Sequence, residues 1–285
     1  MPGLIIDTHT HVISTDRVRY PTAPLGGKQS DWSAERPVEV GGLLAAMEAA
    51  GVAKAVVVQA STAYGHDNSC VADSIAPHRD RLVGVFSVDI LAADAVERIH
   101  HWHGLGFAGL RLFTTGTTMP GQAGWIDDPR GHAGWAAAEA LGLPIAMQMT
   151  AKGIPALRAM MDRFPGVTVL LDHLARPELA DGPPYARASA LFDLASYPQV
   201  VLKLTTRALD LAREGASTPA ALMAELLARF GAGRIMWGSN FPAHAGGLPH
   251  LLERSLAALE SLSAADRDMI LGGTAQRVYP ALKGA

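Results

Sequence analysis

The chain has a single cysteine, Cys70, among its 285 residues, which excludes any internal disulfide. Such usage suits a reducing compartment. Long apolar runs are also missing: none approaches the roughly 18 residues that span a bilayer. Neither charge sign dominates, since 24 Lys and Arg face 27 Asp and Glu for a formal net charge of -3. Without a sustained basic tract, nucleic acid and membrane surfaces are not expected partners. The first residues show no signal-peptide pattern, so a cytoplasmic location is expected. No Gly-x-Gly-x-x-Gly follows a strand-like run, which argues against a dinucleotide-binding sheet. Cys70 falls in a helical stretch and reads as a small packed residue rather than a nucleophile.

What is present is apolar patterning. Hydrophobic residues make up 49% of the chain, enough for a large buried core. Near-continuous apolar runs at 4–8, 53–59, 82–88, 109–113, 144–149, 167–172, 200–204 and 234–238 read as buried parallel strands. Ala/Leu-rich helical patterns lie between them, at 38–50, 68–76, 93–103, 133–141, 154–164, 186–195, 219–230 and 248–262. Asn68 reads as the N-cap of its helix. Eight strand–helix units predict an α/β fold, a (β/α)₈ TIM barrel, as one domain over 1–285. Long loops at 14–37 and 114–132 follow strands 1 and 4, on the face where barrel active sites form. Residues 263–282 predict a C-terminal helix packing on the barrel exterior.

The densest chemistry is His9-Thr10-His11 at the end of the first strand. Residues i and i+2 of a strand share a face, so both imidazoles converge on one point. Such a pair can hold a divalent metal or polarise a carbonyl. Each of the other strands also ends in polar groups, among them Gln59 and Tyr64, Asp89, Arg111, Gln148, Asp172, His173 and Arg176, Lys203 and Arg207, and Asn240. A purely structural barrel needs no such set, which points to an enzyme with a small-molecule substrate. The cations Arg111, Lys203 and Arg207 suit a carboxylate-bearing substrate, although pairing of Arg111 and Lys203 with an acid such as Asp89 is the competing reading. Asp172 precedes His173 in the same run and is expected to face away from it, in a structural role. His244 lies just past Pro242 and can overhang the site; His100, His101 and His103 read as a solvated helix face.

Four segments together resemble a known family. Asp7-Thr8-His9-Thr10-His11, Leu171-Asp172-His173-Leu174-Ala175-Arg176-Pro177, Met236-Trp237-Gly238-Ser239-Asn240-Phe241-Pro242 and Leu271-Gly272-Gly273-Thr274-Ala275-Gln276-Arg277-Val278-Tyr279 are similar to motifs of the amidohydrolase superfamily, in its amidohydrolase-2 branch. That branch includes 2-pyrone-4,6-dicarboxylate lactonase and sugar-acid lactonases. The resemblance implies a barrel hydrolase with His9, His11 and His173 in its site and Ser61 to Asn68, with Tyr64, as a substrate loop. Many members add a fifth-strand His and an eighth-strand Asp, which complete a metal site and supply a base. Here Gln148 and Asn240 stand in those regions. An amide cannot act as a base near neutral pH and attracts a divalent cation less than a carboxylate does. We read Asn240 as the natural residue of a subgroup rather than an introduced change. Two cofactor states follow: one divalent metal, Zn or Mn, on His9, His11 and His173, or no metal, which is preferred. The expected reaction is opening of a lactone or related cyclic ester. His9 and His11 would polarise the carbonyl, His173 would act as base, and Asn240 would orient water or stabilise the oxyanion. Tyr64, Arg111, Gln148, Lys203 and Arg207 would bind substrate. The alternatives are a metal-dependent decarboxylase and a catalytically silent ligand-binding barrel. Assembly into a homo-oligomer stays open.

Overall fold

The computed structural model describes residues 3–283. Eight strands form its centre: β1 (Ile6–Thr10), β2 (Lys54–Val58), β3 (Leu82–Ser87), β4 (Gly109–Phe113), β5 (Ile145–Gln148), β6 (Val169–Leu171), β7 (Val200–Thr205) and β8 (Ile235–Gly238). They pair in parallel and in chain order. The ring closes between β8 and β1. The amide of His11 donates to the Phe241 carbonyl, that of Asn240 to the His9 carbonyl, and Thr8 Oγ1 to the Trp237 carbonyl. This is the expected (β/α)₈ barrel. Among the described residues, no helix is long and apolar enough to cross a membrane.

Each strand is buried on both faces, which explains why the sequence shows continuous apolar runs rather than alternation. Ile6, Val56, Val58, Val83, Val85, Ala146, Leu170, Val201 and Met236 form one buried cluster, the inner layer of the barrel. The layer is closed from below by Ala275, Tyr279 and Leu282 of the C-terminal segment. The expectation that this segment lies on the barrel exterior is therefore corrected: it plugs the end where the strands begin. Its helix is also not continuous. A helical turn at Ala264–Asp268 widens into a π-turn at Met269–Gly273 before Thr274–Val278 resumes. The widening occurs where the chain meets β1, and a Cβ on Gly272 would lie 2.0 Å from the Leu4 carbonyl oxygen. Only glycine permits that approach.

Both long loops appear where expected, after β1 and β4. The first carries a short helix, Asp31–Glu35, and docks on the turn after β2 through backbone bonds from Ala23 to Ala63 and from Leu25 to Ser61. The second is tied to the first by Thr118 Oγ1, which donates to the Leu25 carbonyl. Asn68 sits at the expected helix start, yet its side chain makes no cap bond. It instead accepts from the Ser87 amide and donates to the Ser87 carbonyl, fastening the β2 loop to the end of β3.

Candidate active site

The three histidines of the sequence motifs meet at the C-terminal mouth of the barrel. The ring of His9 lies 5.0 Å from that of His11 and 4.8 Å from that of His173, centroid to centroid. His11 donates from Nδ1 to the Val58 carbonyl at 2.7 Å. A carbonyl only accepts, so this bond fixes the Nδ1–H tautomer and leaves a lone pair on Nε2. His173 Nδ1 bonds Thr205 Oγ1 at 2.8 Å. Burial lowers the pKa of all three: His9 to about 4, and His11 and His173 well below the ordinary value. All three are neutral at pH 7.

How His173 reaches the mouth is unusual. His173, Leu174, Ala175 and Arg176 all have positive φ, between 51° and 56°. A left-handed turn of non-glycine residues costs about 1–2 kcal/mol per residue. Strain of this kind collects at functional sites. The turn ends β6 at Leu171 and cancels strand alternation from there on. As a result Asp172 and His173 both face the site, which corrects the expectation that they point apart. Asp172 is the hub of a buried ion cluster. Its Oδ1 lies 3.3 Å from Lys203 Nζ and 3.5 Å from His9 Nδ1, and its Oδ2 accepts from Arg111 Nε at 3.2 Å. Burial alone would raise its pKa, but Lys203, His9 and Arg111 together hold it well below the carboxylate range. The acid that pairs with Arg111 and Lys203 is thus Asp172, not Asp89, which is exposed and bonds the Leu91 amide.

A second buried acid, Asp7, accepts from the amides of His9 and Ser239 and so bridges β1 and β8. Burial pushes it up to about 6, against the pull of those bonds and of Lys203.

Above the cluster opens a cavity of about 140 Å³. Its wall includes His11, His173, Asn240, Gln148, Trp32 and Phe113, with the guanidinium groups of Arg111, Arg176 and Arg207. Trp32, from the short helix of the first loop, lies 5.2 Å from the His11 ring. Asn240 takes a left-handed φ of 63°, which Asn tolerates better than most residues. Two expected substrate residues are not in the wall. Lys203 is fully buried below it, committed to Asp172. Tyr64 is buried behind it, its hydroxyl accepting from the Ser14 amide. His9 also stays beneath the wall. His244 pairs with Asp210 at 3.1 Å. Arg176 is the residue the sequence reading left without a role. Its Nε is buried without a partner, and burial beside Arg207 and Arg111 brings its pKa down to about 10, still a cation at neutral pH.

The imidazole trio invites a metal, but its surroundings do not fit one. Four cations, Lys203, Arg111, Arg176 and Arg207, already surround two carboxylates, Asp172 and Asp7. A dication would add charge to a cluster that already carries an excess of it. Among the described residues no group of three His, Cys, Asp or Glu has the arrangement of a metal centre.

Comparison with known proteins agrees with the motifs and the barrel. The amidohydrolase family model matches residues 6–281. The chain belongs to the amidohydrolase family, a family of enzymes. An L-fucono-1,5-lactonase from Burkholderia multivorans is 29% identical, over 98% of this chain and 97% of that protein. Among solved structures, a putative 2-pyrone-4,6-dicarboxylic acid hydrolase from Pseudomonas putida superposes with a TM-score of 0.78 at 22% identity, covering 99% of each chain. An amidohydrolase from Burkholderia multivorans with bound zinc gives 0.76 at 24% identity, over 98% of this chain and 99% of that one. A 2,6-dihydroxybenzoate decarboxylase from Rhizobium gives 0.69 at 17%, with the same coverages. At these identities the structures establish a shared fold.

Proposed function

We propose that this amidohydrolase hydrolyses a lactone, or a closely related cyclic ester, that carries a carboxylate on or beside the ring. One observation carries the reading: three guanidinium groups share a cavity of about 140 Å³ with two neutral imidazoles and two amides. The guanidinium groups supply paired donors and positive charge for a carboxylate. The names of the relatives, a sugar-acid lactonase and a pyrone-dicarboxylate hydrolase, support the same substrate class.

The chemistry follows from protonation states. Neutral His173 accepts a proton from water as the oxygen attacks the ester carbonyl. The tetrahedral intermediate then collapses, the ring C–O bond breaks, and His173 returns the proton to the departing alkoxide. His11 presents a lone pair at Nε2, so it accepts a hydrogen of the water and does not polarise the carbonyl, in contrast to the role expected from sequence. Carbonyl polarisation falls to the Asn240 amide and the cation Arg111. Gln148 and Arg207 complete the substrate wall. Asp172 and Lys203 act from below, as positioning residues for His9 and Arg111.

The test is a panel of carboxylate-bearing lactones assayed beside hydroxylated aromatic acids, with proton release and CO₂ release followed separately. Lactone opening without CO₂ supports the reading. CO₂ release with inert lactones would replace it by decarboxylation. Tight binding with no turnover of either class would make the barrel a ligand-binding one, the reading that Asn240 in place of a carboxylate favours.

A further inference from the structure

A second cavity, of about 210 Å³, opens at the same end of the barrel and shares one wall residue, Phe113, with the first. Both long loops and the turn after β2 contribute to it. The loop after β1 gives Leu25, the turn after β2 gives His66, and the loop after β4 gives Met119 and Trp125. Val88 and Asp89, just past β3, complete it. The segments are fastened to one another, through the Leu25 amide to Ser61 and through Thr118 Oγ1 to the Leu25 carbonyl. The cavity is therefore built by the fold and is not a gap between independent loops. His66 is held by a 3.1 Å contact between Nδ1 and Ser87 Oγ.

The two cavities differ in chemistry. The first is lined by cations and imidazoles. The second is lined by apolar and aromatic side chains, with nearly as much polar surface, to which His66 and the exposed Asp89 contribute the polar side chains. Its cationic counterpart stands just beyond Phe113, where the Arg111 guanidinium lies 5.2 Å from the Phe113 ring centre. A cavity of roughly 150 Å³ with apolar walls accepts benzene. The volume here is sufficient for a phenyl-sized group.

We propose that this second cavity is a subsite for a phenyl-sized apolar arm of the substrate, with Phe113 as the partition between that arm and the charged ring. The substrate class becomes an amphiphilic cyclic ester, anionic at one end and aromatic or branched-aliphatic at the other. The assignment rests on the lactonase reading only for the identity of the reacting ring.

The test uses two inert dianions, methylmalonate and benzylmalonate, which share a charged end and differ by a phenyl group. Binding is measured by titration calorimetry on the wild-type protein, on Val88→Phe, which fills the cavity, and on Trp125→Ala, which removes part of its outer wall. Burying a phenyl group predicts at least about tenfold tighter binding of benzylmalonate to wild type. Both variants should lose most of that preference and keep their affinity for methylmalonate. Trp125 lies in a loop, so its variant serves if the Val88 variant does not fold. Equal affinity for the two probes, a preference unchanged in the folded variants, or no binding of either probe at millimolar concentration would overturn the assignment. A phenyl preference in a protein that opens no lactone would leave the subsite standing and remove the lactonase reading. Lactone turnover with no phenyl preference would do the reverse.

Discussion

Asp172 Oδ1 and Lys203 Nζ lie 3.3 Å apart, and neither side chain has any exposed surface. Lys203 is the cation that sequence reading placed against substrate. Its full burial makes it a structural partner of the acid beneath the site. Removing one member of a buried pair strands the other charge, at a cost of about 3–5 kcal/mol. Arg111 still holds Asp172 Oδ2, so Lys203→Met should lower stability by less than that, and adding Asp172→Asn should lower it further by leaving the Arg111 guanidinium without its carboxylate. Urea unfolding of the single and double variants checks this. An unchanged midpoint in Lys203→Met would mean that the pair carries no weight.

Arg176 enters the cavity only because the chain turns left-handed after β6. Its buried Nε has no protein partner and awaits an acceptor. A charge-assisted hydrogen bond contributes about 1.5–3 kcal/mol. Arg176→Met should raise KM for a carboxylate-bearing lactone by about 10- to 100-fold, with a much smaller change in kcat. Steady-state kinetics on the acid and its methyl ester measure the effect. Equal losses on both would remove Arg176 from carboxylate recognition.

Stability should fall in mild acid. His9 titrates near 4 in the folded protein and near 6.5 when exposed. A depressed folded pKa gives stability that is full above 6.5 and is lost as pH falls toward 4, about 2 kcal/mol of it by pH 5. His11 and His173 shift in the same direction. Asp7 opposes them, because a folded value of about 6 against 3.8 gives stability that is full below 3.8 and lost as pH rises through 6. Three imidazoles outweigh one carboxyl. Thermal melts should show Tm falling between about pH 7.5 and 5, and more steeply in Asp7→Asn. A Tm that rises on acidification over that range would contradict the buried neutral histidines.

The charge balance at the site also predicts its response to chelators. Four cations, Lys203, Arg111, Arg176 and Arg207, against the two carboxylates Asp172 and Asp7 leave little electrostatic room for a dication. Turnover should survive prolonged dialysis against a chelator, with metal content well below one ion per chain. Activity that disappears on dialysis and returns with zinc or manganese would overturn that balance.

Much of this was readable in the sequence because burial and spacing are local properties. The run at 109–113 coincides with β4, and the i, i+2 rule brought His9 and His11 together as drawn. The departures have two causes. The run at 167–172 reads as continuing strand, which turns Asp172 away from His173. In fact the strand stops at Leu171, and four left-handed residues follow that no glycine announces. The hub of the ion cluster and the reach of Arg176 were invisible for that reason. Tyr279 and the side chain of Asn68 differ for another reason. Each was read from its own helix, whereas their partners, the inner barrel layer and Ser87, lie far away in sequence.

The most direct measurement of the central claim is proton release during lactone opening by wild type and His173→Ala, across pH. Wild type should keep its kcat/KM as pH falls through 6.5, since His173 stays neutral there, and His173→Ala should lose about two to four orders of magnitude in turnover. A His173→Ala enzyme that turns over at nearly the wild-type rate would contradict the account.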